Sequence, residues 1–242
     1  MKLFRRYQRY AIGYSPWHSS LRCSAGIYED AIAANVHFTH YLSLIMRLGI
    51  LGGTFDPPHF GHLHMAEAAL QQLHLDKVLF APAGVQPLRQ NERHTAPEHR
   101  ARMVELALAD YPQFELSRLD LDRPGPHYTV DLIALVQQQH PRASLWFIMG
   151  EDSLADLLRW RDPARLITQV RLAVLRRPSH TPDWLRLETA LPDLRSHMDW
   201  IDHAAIDISA TDIRQRVRAG LLIDQLVPKT VADYIISKNL YH

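Results

Sequence analysis

From residue 46 onward, short apolar runs alternate with stretches of helical periodicity, and that alternation restricts the fold more than any other feature of the chain. RLGILGG (47–53), KVLFAP (77–82), FELS (114–117), SLWFIMG (144–150) and VRLAVLRRP (170–178) read as strands. Between them, HLHMAEAALQQLH places Leu63, Ala66, Leu70 and Leu73 along one helical face. EHRARMVELALAD and TVDLIALVQQQH follow as helices, and EDSLADLLRW and DPARLITQ as shorter ones. Nearly continuous apolar strands separated by helices predict an α/β fold, a doubly wound and mostly parallel sheet with helices on both faces. Residues 82–97, rich in Pro, Gly, Gln and Asn, read as a loop long enough to reach a ligand, and residues 178–199 as an irregular excursion. The C-terminal part reads as helical: Ser209 suits the cap of SATDIRQRVRAG, Gly220 suits its end, and DQLVPKTVADYIISKN supplies one or two more helices.

A chain of 242 residues that is 47% hydrophobic has enough apolar surface to bury one such domain. Its 27 Lys and Arg against 26 Asp and Glu leave no broad basic field for a polyanion, so nucleic acid is not an expected partner and any phosphate recognition is local. Cys23 is the only cysteine, which excludes an internal disulfide and a thiolate zinc cage and suits a reducing, cytoplasmic compartment. No apolar stretch reaches the roughly 18 to 20 residues of a membrane helix. Residues 1–45 differ from the rest. Lys2, Arg5, Arg6, Arg9 and Arg22 precede the first acid, Glu29, and no periodicity is sustained. With those five bases and two acids set aside, residues 46–242 carry 22 bases and 24 acids. The first 45 residues are expected to stand outside the functional fold, as a tail or as the product of an early start codon. Residues 46–242 are then a single domain.

The first strand runs into Gly52 and Gly53, then a proline-constrained turn, then a helix entered at Gly61. Such a junction aims backbone N–H groups and the positive end of a helix at the carboxyl edge of a sheet, which makes an anion site. Neither GxxxxGK[ST] nor GxGxxG is present; the cationic partners are His59 and His62, three residues apart across the helix start. Other readings of the same residues exist. His59, His62 and His64 would be metal ligands, although no HExxH pattern or nearby cysteine accompanies them. The glycine pair and Pro57–Pro58 would be an ordinary turn and helix entry, and Asp56 a cap or turn former without a catalytic role.

GGTFDPPHFGH (52–62) resembles the GxFDPxHxGH signature of the nucleotidyltransferase superfamily that shares the HxGH element. DISATDIRQR (207–216) resembles the ISxTxxR element of the same superfamily. VQPLR (85–89), GPHYTVD (125–131), FIMGEDSLADLLRW (147–160) and LVPKTVADYI (226–235) are similar to stretches of the nicotinate mononucleotide adenylyltransferases, so that the likeness spans residues 46–242. It implies a Rossmann-like fold that converts ATP and nicotinate mononucleotide into nicotinate adenine dinucleotide and pyrophosphate. The 5′-phosphate attacks the α-phosphorus directly, without a covalent enzyme intermediate. A phosphate whose second pKa is about 6 is already ionised at neutral pH and needs no dedicated base.

The resemblance further assigns roles. His59, His62 and Arg214 are catalytic, contacting the ATP phosphates and the departing pyrophosphate. Gly52, Gly53, Thr54, Phe55 and Ser209 join them in holding ATP. Thr54, Arg89, Thr129, Gly150, Asp152 and Trp160 fall at mononucleotide-binding positions, Trp160 offering an aromatic face to the cationic pyridinium ring. Mg²⁺ is expected to arrive with ATP through phosphates and waters, with no metal site of the protein's own. Two departures stand out. Gln86-Pro87-Leu88-Arg89 replaces the usual PPHK or PPHR, and Glu151 stands where a small or neutral residue is more usual. The nearest rivals are superfamily members that adenylylate nicotinamide mononucleotide or pantetheine phosphate. A class I aminoacyl-tRNA synthetase also shares HxGH, but only four lysines and no KMSKS-like run occur here. A catalytically idle nucleotide-binding protein is opposed by the intact His59, His62 and Arg214.

Overall fold

The computed structural model describes residues 45–84, 94–176, 182–202 and 206–242. These belong to a unit spanning Ile45–His242. Strands β1 (Arg47–Gly53), β2 (Lys77–Pro82), β3 (Phe114–Leu116), β4 (Ser144–Gly150), β5 (Arg171–Leu175) and β6 (Met198–Ile201) form one sheet in the order β3-β2-β1-β4-β5-β6. Every pairing in it is parallel.

The strands alternate strictly between two apolar layers. Leu48 and Ile50 of β1, Leu145, Phe147 and Met149 of β4, and Leu172 and Val174 of β5 enter one core. Leu51, Trp146, Ile148, Ala173 and Leu175 enter the other. Burial of both faces is why these segments are continuous apolar runs in sequence. Helix α1 (Phe60–Gln72) covers the second layer with Leu63, Ala66 and Ala69, beside Val104 of α2 (Pro97–Ala107). Helix α3 (Thr129–Gln139) covers the first with Val130, Leu132, Ile133 and Val136. The short helices α4 (Glu151–Ala155), α5 (Pro163–Gln169) and α6 (Trp184–Ala190) join it there through Leu154, Leu166 and Leu187. A third cluster ties Met103 and Ala107 of α2 to α7 (Ala210–Arg218) and α8 (Lys229–Ser237). Among the described residues no helix is long and apolar enough to cross a membrane.

Helix α7 is capped as the sequence predicts, the Ser209 hydroxyl accepting the Asp212 N–H at 3.0 Å, and Gly220 closes it at φ +67°. The excursion expected over 178–199 needs correction, for it contains α6, a 3₁₀ turn over Leu194–His197 and the start of β6. The sheet order reverses between β1 and β4, whose ends at Gly53 and Gly150 open a crevice where ligands bind in such sheets.

Candidate active site

At the end of β1 the chain turns through Phe55, which takes φ 51°. That left-handed conformation costs a non-glycine residue roughly 1–2 kcal/mol. Packing holds it there: Phe55 is buried, its ring edge-on to His62 with centroids 4.9 Å apart and 5.7 Å from Phe80. His59 follows as the N-cap of α1 in extended conformation, and His62 lies in the first turn. Their rings stack at 3.7 Å with 25° between planes. Gly61 permits this, since a Cβ there would stand 2.9 Å from Nδ1 of His59.

The His59 N–H donates to Nδ1 of His62 at 3.2 Å. A neutral His62 therefore carries its proton on Nε2, as a donor for a phosphate oxygen. Burial first, and the neighbouring His59 second, hold the His62 pKa well below 6.5. The helix end itself offers fewer open donors than the sequence suggests. The Phe60 N–H goes to the Leu226 carbonyl at 3.0 Å and the His62 N–H to the His59 carbonyl at 2.9 Å.

Arg214 reaches this turn from α7, donating from Nη1 to the Asp56 carbonyl at 2.8 Å and from Nη2 to the Thr211 hydroxyl at 3.1 Å. The two signature stretches thus close on each other across 158 residues of sequence. Behind the turn, the buried Asp56 carboxylate accepts the Tyr241 hydroxyl at 2.7 Å and the Thr95 N–H at 2.9 Å. Arg100, 1% exposed, donates from Nη1 to the carbonyls of Thr54 and Ala83, each at 2.7 Å, and from Nε to that of Thr95 at 3.0 Å. Its burial lowers the guanidinium pKa while Asp56 opposes the shift.

A cavity of about 640 Å³ opens over the carboxyl ends of β1 and β4. Gly52, Gly53, Thr54, Phe55, His59, His62, Ser209 and Arg214 line it, together with Thr129, Gly150, Asp152 and Trp160. Thr129 starts α3, and Gly150 is the N-cap of α4, so Asp152 sits inside that helix and does not cap it. Trp160 packs edge-on against Phe147, centroids 5.8 Å apart at 87°, while bordering the cavity. Arg89, with Gln86, Pro87 and Leu88, lies outside the described residues. Glu151 is not part of the lining. His64 is half-exposed beside Glu67 at 3.3 Å and takes no part in the lining, which leaves His59 and His62 as the histidines of that group at the site.

Asp56, Arg100 and Tyr241 build the back of the site without having been assigned to it by sequence. One signal for Arg100 was present: it shares a helical face with Met103, Val104 and Ala107, where a charge is out of place unless it is bonded inside.

A family model described as cytidylyltransferase-like matches residues 50–216. A relative from Roseiflexus sp. (strain RS-1), named "Probable nicotinate-nucleotide adenylyltransferase", is 45% identical over 194 residues, covering 80% of this chain and 97% of the relative. One of the same name from Herpetosiphon aurantiacus is 42% identical over 197 residues, covering 81% and 99%. Among solved structures, Plasmodium falciparum nicotinic acid mononucleotide adenylyltransferase complexed with NaAD aligns with a TM-score of 0.66 over 81% of this chain and 97% of that one. At 19% identity, that likeness bears on the fold.

Proposed function

The chain belongs to the cytidylyltransferase-like family, and from that membership we infer that it moves the adenylyl group of ATP onto nicotinate mononucleotide, releasing nicotinate adenine dinucleotide and pyrophosphate. The observation that carries this reading is the meeting of the stacked His59–His62 pair and Arg214 in a cavity that Trp160 and Thr129 also line. The relatives' names supply the acceptor.

The chemistry follows from charge and position. The mononucleotide 5′-phosphate attacks the α-phosphorus in line, and pyrophosphate leaves. The protein has to align the two and stabilise the charge that builds on the leaving group. His62 donates from Nε2, His59 stands beside it, and Arg214 draws the departing pyrophosphate toward α7. Gly52, Gly53, Thr54 and Phe55 shape the wall against the nucleotide, and the Ser209 end of α7 adds its dipole. On the acceptor side Trp160 stacks on the pyridinium ring and Thr129, Gly150 and Asp152 surround the mononucleotide, with Arg89 as a further contact.

A divalent cation accompanies the nucleotide, and Mg²⁺ bound to the phosphate chain fits the residues present. Asp56, the carboxylate nearest the histidines in sequence, already accepts from Tyr241 and Thr95. Mg²⁺ would neutralise phosphate charge on ATP. Residues 46–242 form the catalytic domain, a proposal supported by relatives whose nearly full length matches about 195 residues of this chain. A cytoplasmic location is supported by the single cysteine.

The test is an assay of the full chain with MgATP and either nicotinate or nicotinamide mononucleotide. The expected result is dinucleotide and pyrophosphate in equal amounts, with the acid preferred. Release of neither product from either acceptor would sink the proposal.

A further inference from the structure

We propose that Tyr241 is a positioning residue for the phosphate site, setting through Asp56 the turn that carries His59 and His62 and receives Arg214. The contact joins residues 185 apart in sequence, the Tyr241 hydroxyl donating to Oδ1 of Asp56 at 2.7 Å. Asp56 is the hub. Its Oδ2 accepts the Thr95 N–H at 2.9 Å and lies 3.7 Å from Nδ1 of His94, while its own carbonyl accepts from Arg214 at 2.8 Å. At 3% exposure this carboxylate has little water to replace a lost donor.

The backbone supplies an independent observation. After α8 ends at Ser237, the Leu240 N–H closes on the Ile235 carbonyl at 3.0 Å, and the chain passes through Asn239 at φ 51° and Tyr241 at φ 69°. A tyrosine in the left-handed region persists where surrounding contacts over-determine it, and such strain clusters at functional sites. The contacts here are the apolar cluster of α2, α7 and α8 around the ring and the buried carboxylate on the hydroxyl. Core packing alone would have no need of that hydroxyl.

The consequence concerns Arg214. With the Tyr241 hydroxyl in place, Oδ1 is satisfied, and among the described residues Arg214 bonds only the backbone of Asp56 and the Thr211 hydroxyl, keeping its charge for an anion in the cavity. Without it, Oδ1 loses its donor inside the fold, the Asp56 side chain shifts, and the Asp56 carbonyl that accepts from Nη1 of Arg214 moves with it. Arg214 then loses the anchor that aims it at the leaving pyrophosphate, a loss felt in turnover and triphosphate binding and not in mononucleotide binding.

The inference rests on the proposed reaction for its kinetic readout, and binding supplies a second one that does not. In the full chain, Tyr241→Phe keeps the ring and removes the hydroxyl. It is expected to lower kcat for pyrophosphate release roughly tenfold and to weaken a non-hydrolysable ATP analogue by a similar factor. KM for nicotinate mononucleotide should stay unchanged and the melting temperature should move by a few degrees. Asp56→Asn, which has one acceptor oxygen for two donors, should show the same split, and the double variant should be no worse than Asp56→Asn alone. A Tyr241→Phe protein with unaltered kcat and analogue affinity overturns the inference, whatever its melting temperature, and so does an additive double variant. Absence of wild-type turnover would refute the reaction, and analogue affinity would still decide on Tyr241.

Discussion

Burial, and then the neighbouring imidazole of His59, hold the His62 pKa down, and the same placement makes the fold sensitive to acid. In the unfolded chain a histidine titrates near 6.5, and in the folded one His62 titrates lower. Between those values the unfolded state binds more protons. The contribution of His62 to stability is therefore complete above about pH 6.5 and is lost as pH falls toward the lowered value. Denaturant titrations at stepped pH should show stability falling on that limb, and His62→Gln should flatten it. In turnover, His62→Ala should lower kcat by roughly 10² through lost stabilisation of phosphate charge, measured as pyrophosphate release at saturating substrates. Unchanged turnover would remove His62 from the mechanism. The two signature stretches pointed to His59, His62 and Arg214, and the structure brings these three side chains to one cavity. Asp56 was visible in the signature but not its function, since its partners Thr95 and Tyr241 lie 39 and 185 residues away.

Among the elements, β1, β2 and β4 match the predicted strands residue for residue, because burial on both faces leaves an unbroken apolar run in sequence. Strand β6 leaves no such trace. Of Met198–Ile201 only the two ends are buried, and the strand is held by side chains from its neighbours. Asp199 accepts from Arg171 at 2.8 and 2.9 Å and from the Trp146 indole at 2.9 Å, which staples β6 to β4 and β5. The Arg171 bond foremost, and that from Trp146, pull the Asp199 pKa below 3.8 against the cost of burial. Asp199→Asn should therefore destabilise the protein by about 1–2 kcal/mol near neutral pH, charged hydrogen bonds being discounted for partial exposure. A depressed carboxylate contributes above its unfolded pKa and loses that contribution as pH falls through its folded one. The gap between variant and wild type, read by urea titration, should narrow below about pH 4. An equal gap at pH 3 and pH 7 would contradict the staple.

At the scale of the whole molecule, alternating strands and helices told the fold class, but strand order was not written in them. Order depends on which side each crossover takes, and the step from β3 back across the sheet to β4 is what places Gly53 and Gly150 at one crevice. That step explains why residues of four separate stretches, near 55, 129, 155 and 211, line one cavity. The cavity proposed to carry out adenylyl transfer to nicotinate mononucleotide is lined by residues of 46–242 alone, among the described residues. The most direct measurement is single-turnover mass spectrometry of residues 46–242 with MgATP and the mononucleotide. Nicotinate adenine dinucleotide should form one-for-one with pyrophosphate, with no adenylylated protein at any time point. A cooperatively folded chain that yields no dinucleotide, or one that accumulates a covalent adenylyl adduct, would contradict direct transfer at this cavity.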